Sequence, residues 1–211
     1  MSTAIRSTSV PAPAARLIAT VVEQHGRIDA LVNNAGGLQA RTSFLDITDE
    51  QWLATFNLNF HAARRMSRAA VPAMLAGGGG SLVHLGSDSA RLPEVGNLDY
   101  AAAKLALLAL STSLATEFSP RGIRSNVVVP GPTRTPLYDR PGGFGDQAAE
   151  VWGIDKETAI TRMVTEIRPL LTGRMGQPND IAQVVAYLVS PLSGQVTAAE
   201  WSVDGGAQRH I

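Results

Sequence analysis

Cysteine is missing from this 211-residue chain, which excludes a disulfide scaffold and any thiolate metal site and suits a reducing compartment. Net charge is missing as well. Eighteen Lys and Arg balance eighteen Asp and Glu, so no overall field favours nucleic acid, an anionic membrane surface or a polyanionic substrate. Recognition must depend on a local site. No stretch reads as an apolar run long enough to span a bilayer, and Met1 to Ala15, rich in Ser, Thr, Pro and Ala, lacks the apolar core of a secretory signal. A cytoplasmic protein without nucleic-acid or membrane partners is expected. The four histidines, His25, His61, His84 and His210, are dispersed without ligand-type spacing, so no metal site is expected. His84, inside an apolar strand, reads as a packed, hydrogen-bonded histidine.

What is present is an apolar fraction of 45%, ample for the core of one domain. Residues 1–12 read as a flexible tail and 13–211 as a single α/β domain. Leu17, Ile18, Val21 and Val22 recur at helical spacing between Pro13 and His25, and Gly26 supplies a stop. Asp29 to Val32 form a short apolar strand that exits through Asn33-Asn34-Ala35-Gly36-Gly37. Thr48 followed by Gln51 has the form of a capping box, opening a helix that runs to Leu75 before Gly77 to Gly80 end it. Ser81 to Leu85 is a second strand, Tyr100 to Phe118 a helix, and Ile123 to Val129 a strand stopped by Pro130-Gly131. Pro136 to Gly145 is read as irregular, Asp180 to Ser190 as a helix, and Glu200 to Val203 as a last strand. Helices alternating with short apolar strands imply a parallel sheet covered by helices.

Tyr100 and Lys104 are four residues apart, so on a helix a phenol and an ammonium share one face. The positive charge is expected to lower the tyrosine pKa, letting Tyr100 exchange a proton with a substrate oxygen. Ser87, at the end of the second strand, could hydrogen-bond that same oxygen. Asp88 and Ser89 follow it and are candidates to face substrate. Taken alone, Tyr-x-x-x-Lys equally describes a surface tyrosine beside a solvated lysine.

Five segments occur together, however: Asn33-Asn34-Ala35-Gly36, Leu85-Gly86-Ser87, Tyr100-x-x-x-Lys104, Pro130-Gly131-Pro132-Thr133-Arg134-Thr135 and Val203-Asp204-Gly205-Gly206. In order and spacing they resemble the short-chain dehydrogenases/reductases, and the resemblance runs from about Ala15 onward. It implies a Rossmann-like fold and NAD- or NADP-dependent interconversion of a small-molecule ketone and alcohol. It makes Tyr100 the general acid/base, Ser87 the stabiliser of the substrate oxygen, Lys104 the residue that tunes the tyrosine and binds the nicotinamide ribose, and Asn59 the holder of a relay water; Asn57 is a nearby decoy. Cofactor contacts would come from Asn33, Ala35, Gly36, Lys104, Pro130, Gly131, Thr133 and Thr135. The resemblance also implies a homodimer or homotetramer built through the helices at 49–75 and 100–118, and a substrate lid at 136–174 that carries Tyr138 and Trp152.

Members of that family normally open with a strand and a Thr-Gly-x-x-x-Gly-x-Gly turn, whose backbone N–H groups cradle the pyrophosphate. No such turn occurs in the sequence. Gly77 to Gly80 follow a helix and precede a strand, the wrong end of the helix dipole for an anion. An incomplete fold lacking its first strands and glycine-rich turn is therefore expected, from a start site assigned too late or a truncated product. The strand at 29–32 would become an apolar edge, covered by a strand from Thr3 to Val10 or by another subunit. Two alternative functions accompany this expectation: a cofactor-independent dehydratase, isomerase or cyclase using the same three residues, and a non-catalytic protein that only assembles.

Overall fold

The computed structural model describes residues 12–209; the proposed N-terminal strand at Thr3 to Val10 lies outside them. Helix α1 spans Ala12–His25, and its apolar stripe buries Ile18 while Leu17 stays exposed. It ends where Gly26 turns to φ +79° and donates to the Val22 carbonyl at 2.8 Å, a left-handed exit that favours glycine.

Four strands follow the sequence pattern closely: β1 Ala30–Asn33, β2 Gly80–Leu85, β3 Ile123–Pro130 and β4 Glu200–Val203. They form one parallel sheet in the order β1-β2-β3-β4, with Val32 opposite Val83, Leu85 opposite Val128, and Val128 opposite Trp201. Because strand side chains alternate faces, neighbours in β2 enter different cores. Leu82 joins Ile18, Ile28, Val71, Met74 and Ile123 on one side, whereas Val83 and Leu85 join Val128 and Leu188 on the other. Burial on both faces is what makes β2 and β3 read as continuous apolar runs.

Helices α2 (Asp49–Phe56) and α3 (Ala62–Ala76) are joined by a π-helical turn, Asn57–His61, where a single continuous helix was expected. The Thr48 hydroxyl accepts from Gln51 N at 3.3 Å and the Gln51 amide accepts from Thr48 N at 3.0 Å, forming the expected capping box. Helix α4, Leu98–Phe118, packs along β3, with Leu108 against Val127 and Val129. In length and composition the stretch Val95–Arg121 would suffice to cross a bilayer, contrary to the expectation that no segment would. Its apolarity instead serves the core: Leu107, Leu108 and Ala115 are buried, Leu108 against Val127 and Val129 of the sheet, and the stretch carries buried Lys104.

The stretch from Pro136 to Gly145, expected to be irregular, holds α5 Pro136–Asp139 and the start of α6 Phe144–Trp152 on either side of a turn; α7 Lys156–Arg162 follows and runs on into a π turn at Met163–Ile167. Its Gly and Pro residues punctuate short helices rather than prevent them. Gly153 ends α6 at φ +64°, and the Asp155 side chain caps α7 by accepting from Thr158 N at 3.0 Å. Helix α8, Pro178–Val189, covers the second face of the sheet.

Strand β1 lies at one end of the sheet and pairs only with β2 among the described residues. Val32 is 40% exposed there.

Candidate active site

All four strands point their C-terminal ends the same way, so the turns at 34–37, 86–90, 131–135 and 204–206 gather along one rim of the sheet, where open α/β sheets bind ligands. Ser87 arrives there two residues beyond β2. Its hydroxyl accepts from Ser89 N at 3.2 Å, which caps a short 3-10 turn, donates to Asp88 Oδ1 at 3.3 Å, and lies near enough to the Tyr100 phenol to favour its ionised form. Tyr100 and Lys104 rise from the first turns of α4 on one face, and the Lys104 ammonium lies 5.6 Å from the phenol ring centroid.

The electrostatics differ from the simple expectation of a lysine that acidifies a tyrosine. Burial pushes the Tyr100 phenol above its ordinary value; Ser87 pulls it partly back and the Asp88 charge raises it further. Lys104 is only 3% exposed, and that burial depresses its own pKa to about 8. Its ammonium donates to the Leu85 carbonyl at 2.7 Å. Desolvation thus outweighs the influence of Ser87 on the phenol in the folded protein alone, and the centre rests with a neutral phenol beside a lysine close to giving up its proton.

Asn59, 2% exposed, is turned inward by the π turn. Its Oδ1 accepts from Gly37 N at 3.0 Å, and its Nδ2 donates to the Gly37 carbonyl at 2.9 Å and the Thr55 carbonyl at 3.1 Å. The side-chain amide therefore anchors the turn after β1. Asn57 faces outward and accepts from Arg65 at 2.9 Å. Gly36 sits between these groups: a Cβ there would lie 3.0 Å from Asn59 Oδ1 and 3.2 Å from Lys104 Nζ. The structure thus brings together Ser87, Tyr100, Lys104, Asn59 and Gly36.

The remaining sequence candidates are less uniform. Ala35 is exposed on the rim. Asn33 is buried with its amide against Ser67 Oγ at 3.1 Å and His84 Nδ1 at 3.2 Å, so its side chain serves the interior. His84 is the buried, hydrogen-bonded histidine expected, and desolvation holds its pKa near about 4. Pro130 ends β3, and Gly131 is required by packing, since a Cβ there would meet Asp204 at 2.7 Å. The Thr133 hydroxyl closes the turn by donating to the Gly131 carbonyl at 2.9 Å, while Thr135 caps α5 without using its side chain. Ser89 is committed to Asn97, whose Nδ2 donates to its hydroxyl at 3.2 Å. Trp152 stacks under Arg162 at 5.0 Å, and Tyr138 packs against Phe144, ring centroids 6.0 Å apart, where burial pushes its phenol up to about 12.

Two charged pairs carry no signal in the sequence. Arg41 reaches Asp99 at 2.6 Å with both side chains almost fully buried, and Thr55 donates to the same carboxylate at 2.7 Å. Burial alone would raise the Asp99 pKa, but these bonds and the Arg41 charge hold it below the usual carboxylate value. The same carboxylate accepts from Tyr100 N at 3.1 Å, so the trio fixes the N-terminus of α4 from which Tyr100 projects. Arg168, just after the π turn at 163–167, approaches buried Asp88 at 3.1 Å.

Residues 9–208 match the family model described as Enoyl-(Acyl carrier protein) reductase. The human Dehydrogenase/reductase SDR family member 4 is 37% identical over 196 residues, covering 93% of this chain and 65% of that protein. The 2-keto-3-deoxy-L-fuconate dehydrogenase of Xanthomonas campestris is 32% identical over 206 residues, covering 97% and 65%. The ligand-free aldohexose dehydrogenase of Thermoplasma acidophilum superposes with a TM-score of 0.82 at 26% identity, over 94% of this chain and 75% of that one. The chain thus spans 65% of the length of these two curated relatives.

Proposed function

Since the chain belongs to the short-chain dehydrogenase/reductase family, we propose that its oxidoreductase chemistry is the interconversion of a small ketone and its alcohol at Tyr100, with NAD or NADP as redox partner. The observation that carries this reading is the placement of Tyr100 and buried Lys104 on one face of α4, the ammonium 5.6 Å from the phenol ring, at the rim where Ser87 leaves β2. A bound nicotinamide supplies or accepts the hydride.

The protein's own residues account for the rest. In reduction the Tyr100 phenol donates its proton to the substrate oxygen, and its raised pKa keeps that proton available at neutral pH. Ser87 hydrogen-bonds the same oxygen and opposes its drift as charge develops. Lys104 uses one N–H on the Leu85 carbonyl, leaving two donors on the side of Gly36, where the absence of a Cβ keeps space open. That donor set fits the hydroxyls of a nicotinamide ribose. Ala35 and Gly36 after β1, with Pro130, Gly131, Thr133 and Thr135 after β3, flank the same rim and would bracket the nicotinamide end. Asn59 serves the centre by holding the Gly37 turn against Lys104. The outer faces of α2 and its π turn and of α4 expose Leu53, Leu58 and Leu105, which supports assembly through these helices into a dimer or tetramer.

The test is fluorescence titration of the purified chain with NADH and NADPH, followed by ketone-reduction assays on wild type and Tyr100→Phe. Binding by both proteins with turnover only in the wild type is expected. Failure of either nucleotide to bind at millimolar concentration would remove the reductase reading. Turnover of a carbonyl compound that needs Tyr100 but no nucleotide would replace it with cofactor-independent acid/base chemistry.

A further inference from the structure

Helix α4 starts without an ordinary cap. Asn97 precedes it but makes no side-chain bond to the first turn, since its amide accepts from Glu94 N at 3.1 Å and donates to the Ser89 hydroxyl at 3.2 Å. The first N–H groups of a helix have no partner within it, and Tyr100 is the third residue of this one. Fraying there would carry the phenol out of place. Asp99, the second residue, closes the gap, its Oδ1 accepting from Tyr100 N at 3.1 Å. Its Oδ2 accepts from Arg41 Nη2 at 2.6 Å, from Arg41 Nε at 3.2 Å and from the Thr55 hydroxyl at 2.7 Å. The Arg41 and Asp99 side chains are 6% and 1% exposed. These partners come from two other parts of the fold, the loop after β1 and helix α2, and Arg41 N also donates to the Gly96 carbonyl at 3.0 Å, just ahead of α4.

A buried ion pair gains little net stability, because lost solvation offsets the attraction. What this one supplies is a fixed geometry. Thr55 faces two ways: its hydroxyl donates to Asp99, and its carbonyl accepts from Asn59 Nδ2 at 3.1 Å. The same Asn59 amide holds Gly37 through bonds of 3.0 Å and 2.9 Å. Contacts therefore run without a break from Tyr100 N, through Asp99, Thr55 and Asn59, to the turn whose Gly36 lies beside Lys104. Transfer of a proton in step with a hydride tolerates little error, and a misplacement of about 1 Å can cost about a hundredfold in rate. Resting on the reading of Tyr100 as the proton donor, we propose that Asp99, Thr55 and Arg41 are positioning residues for the reaction, fixing the reach of the Tyr100 phenol against the Gly36–Gly37 turn. They touch neither substrate nor cofactor. Arg41 keeps the Asp99 carboxylate ionised, and so able to accept from Thr55 and Tyr100 together.

The chain has three tyrosines, Tyr100, Tyr138 and Tyr187, so carbon-13 label at tyrosine Cζ gives three assignable NMR signals on the full chain without any ligand. Thr55→Val removes the hydroxyl, keeps the branched shape and leaves the Arg41–Asp99 pair in place. In it the Tyr100 titration midpoint should fall toward the ordinary phenol value as water reaches a less firmly held ring. Ser87, Asp88 and Lys104 around that ring are unchanged, and the Tyr138 and Tyr187 signals should not move. Thr55→Ser should restore the wild-type midpoint, and Asp99→Asn should shift it further; if Asp99→Asn does not fold, the Thr55 variants decide. Turnover of 3-hexanone with NADH or NADPH should fall at least about tenfold in Thr55→Val, while the nucleotide Kd stays within about twofold because the backbone bond to Asn59 survives. Met74→Ala, beside Gly80 at the far end of β2, should lose stability without moving either readout. A purely structural role predicts that same behaviour for Thr55→Val. A variant folded by circular dichroism with its Tyr100 midpoint and its turnover per folded molecule both unchanged, or a serine that restores neither, would overturn the proposal. Absence of ketone turnover in the wild type would sink the oxidoreductase reading alone, since the Tyr100 signal still decides whether the phenol is held by this network.

Discussion

Replacing Lys104 with methionine should stabilise the protein at neutral pH while abolishing its chemistry. The side chain is 3% exposed, its ammonium has one hydrogen bond, to Leu85, and among the described residues no carboxylate is paired with it. Burial lowers its pKa to about 8 from an ordinary 10.5. Both folded and unfolded chains are protonated below the lower value, so the folded state there bears a penalty of about 3 kcal/mol. As pH rises from about 8 toward 10.5 the folded chain releases its proton first, and wild-type stability recovers by that amount. Lys104→Met removes the penalty, retains most of the aliphatic volume, and costs about 1–2 kcal/mol for the Leu85 carbonyl left without its partner. The variant should therefore gain about 1–2 kcal/mol at pH 7, draw level near about pH 9, and be less stable than wild type at about pH 10. Urea denaturation of both proteins across that range reads the crossover directly. A variant destabilised at pH 7, or a difference that does not change with pH, would refute the claim that this lysine is held against its solvation preference. Such a cost at a functional position is the usual stability–activity conflict.

Three further outcomes are expected from the packing around the site. Asp99→Ala leaves the Arg41 guanidinium buried and unpaired and should cost about 3–5 kcal/mol near neutral pH; because the Asp99 pKa is depressed in the fold, the difference from wild type should close as pH falls below about 4, as denaturation at a series of pH values would show. Gly36→Ala adds a methyl 3.0 Å from Asn59 Oδ1 and 3.2 Å from Lys104 Nζ, so stability should fall by about 1–3 kcal/mol and NAD(P)H titration of the folded variant should weaken by about tenfold; an unchanged dissociation constant would place the cofactor elsewhere. Met74→Ala empties a fully buried position among Ile18, Val71 and Leu82 and should cost about 2–5 kcal/mol by calorimetry without altering nucleotide binding.

Much of the fold was legible because the relevant signals are local. Glu200–Val203 reads as a strand with the bounds it adopts, and Thr48 with Gln51 closes the capping box that its spacing announces. The π turn was not legible. An extra residue in a helical turn leaves the apolar pattern on either side intact, yet it rotates the next stretch of helix about its axis. Here the helix carries Asn59 inward and leaves Asn57 facing outward. Burial energetics were hidden for a different reason. The four-residue spacing of Tyr100 and Lys104 places them on one helix face, but it does not reveal that the ammonium turns toward the Leu85 carbonyl or how little water reaches either group. Whether a charge lowers a neighbouring pKa depends on that balance, and in this protein desolvation wins at both residues. The Arg41–Asp99 and Asp88–Arg168 pairs lie still further beyond periodicity, because partners distant in the chain obey no repeat and are joined only when the sheet and its crossover helices bring their loops to one rim. A phenol held neutral and a lysine near its own pKa at that rim share one physical origin. Each polar group is kept short of water, and a substrate or cofactor that supplies the missing partners gains the interaction energy that the empty site forgoes.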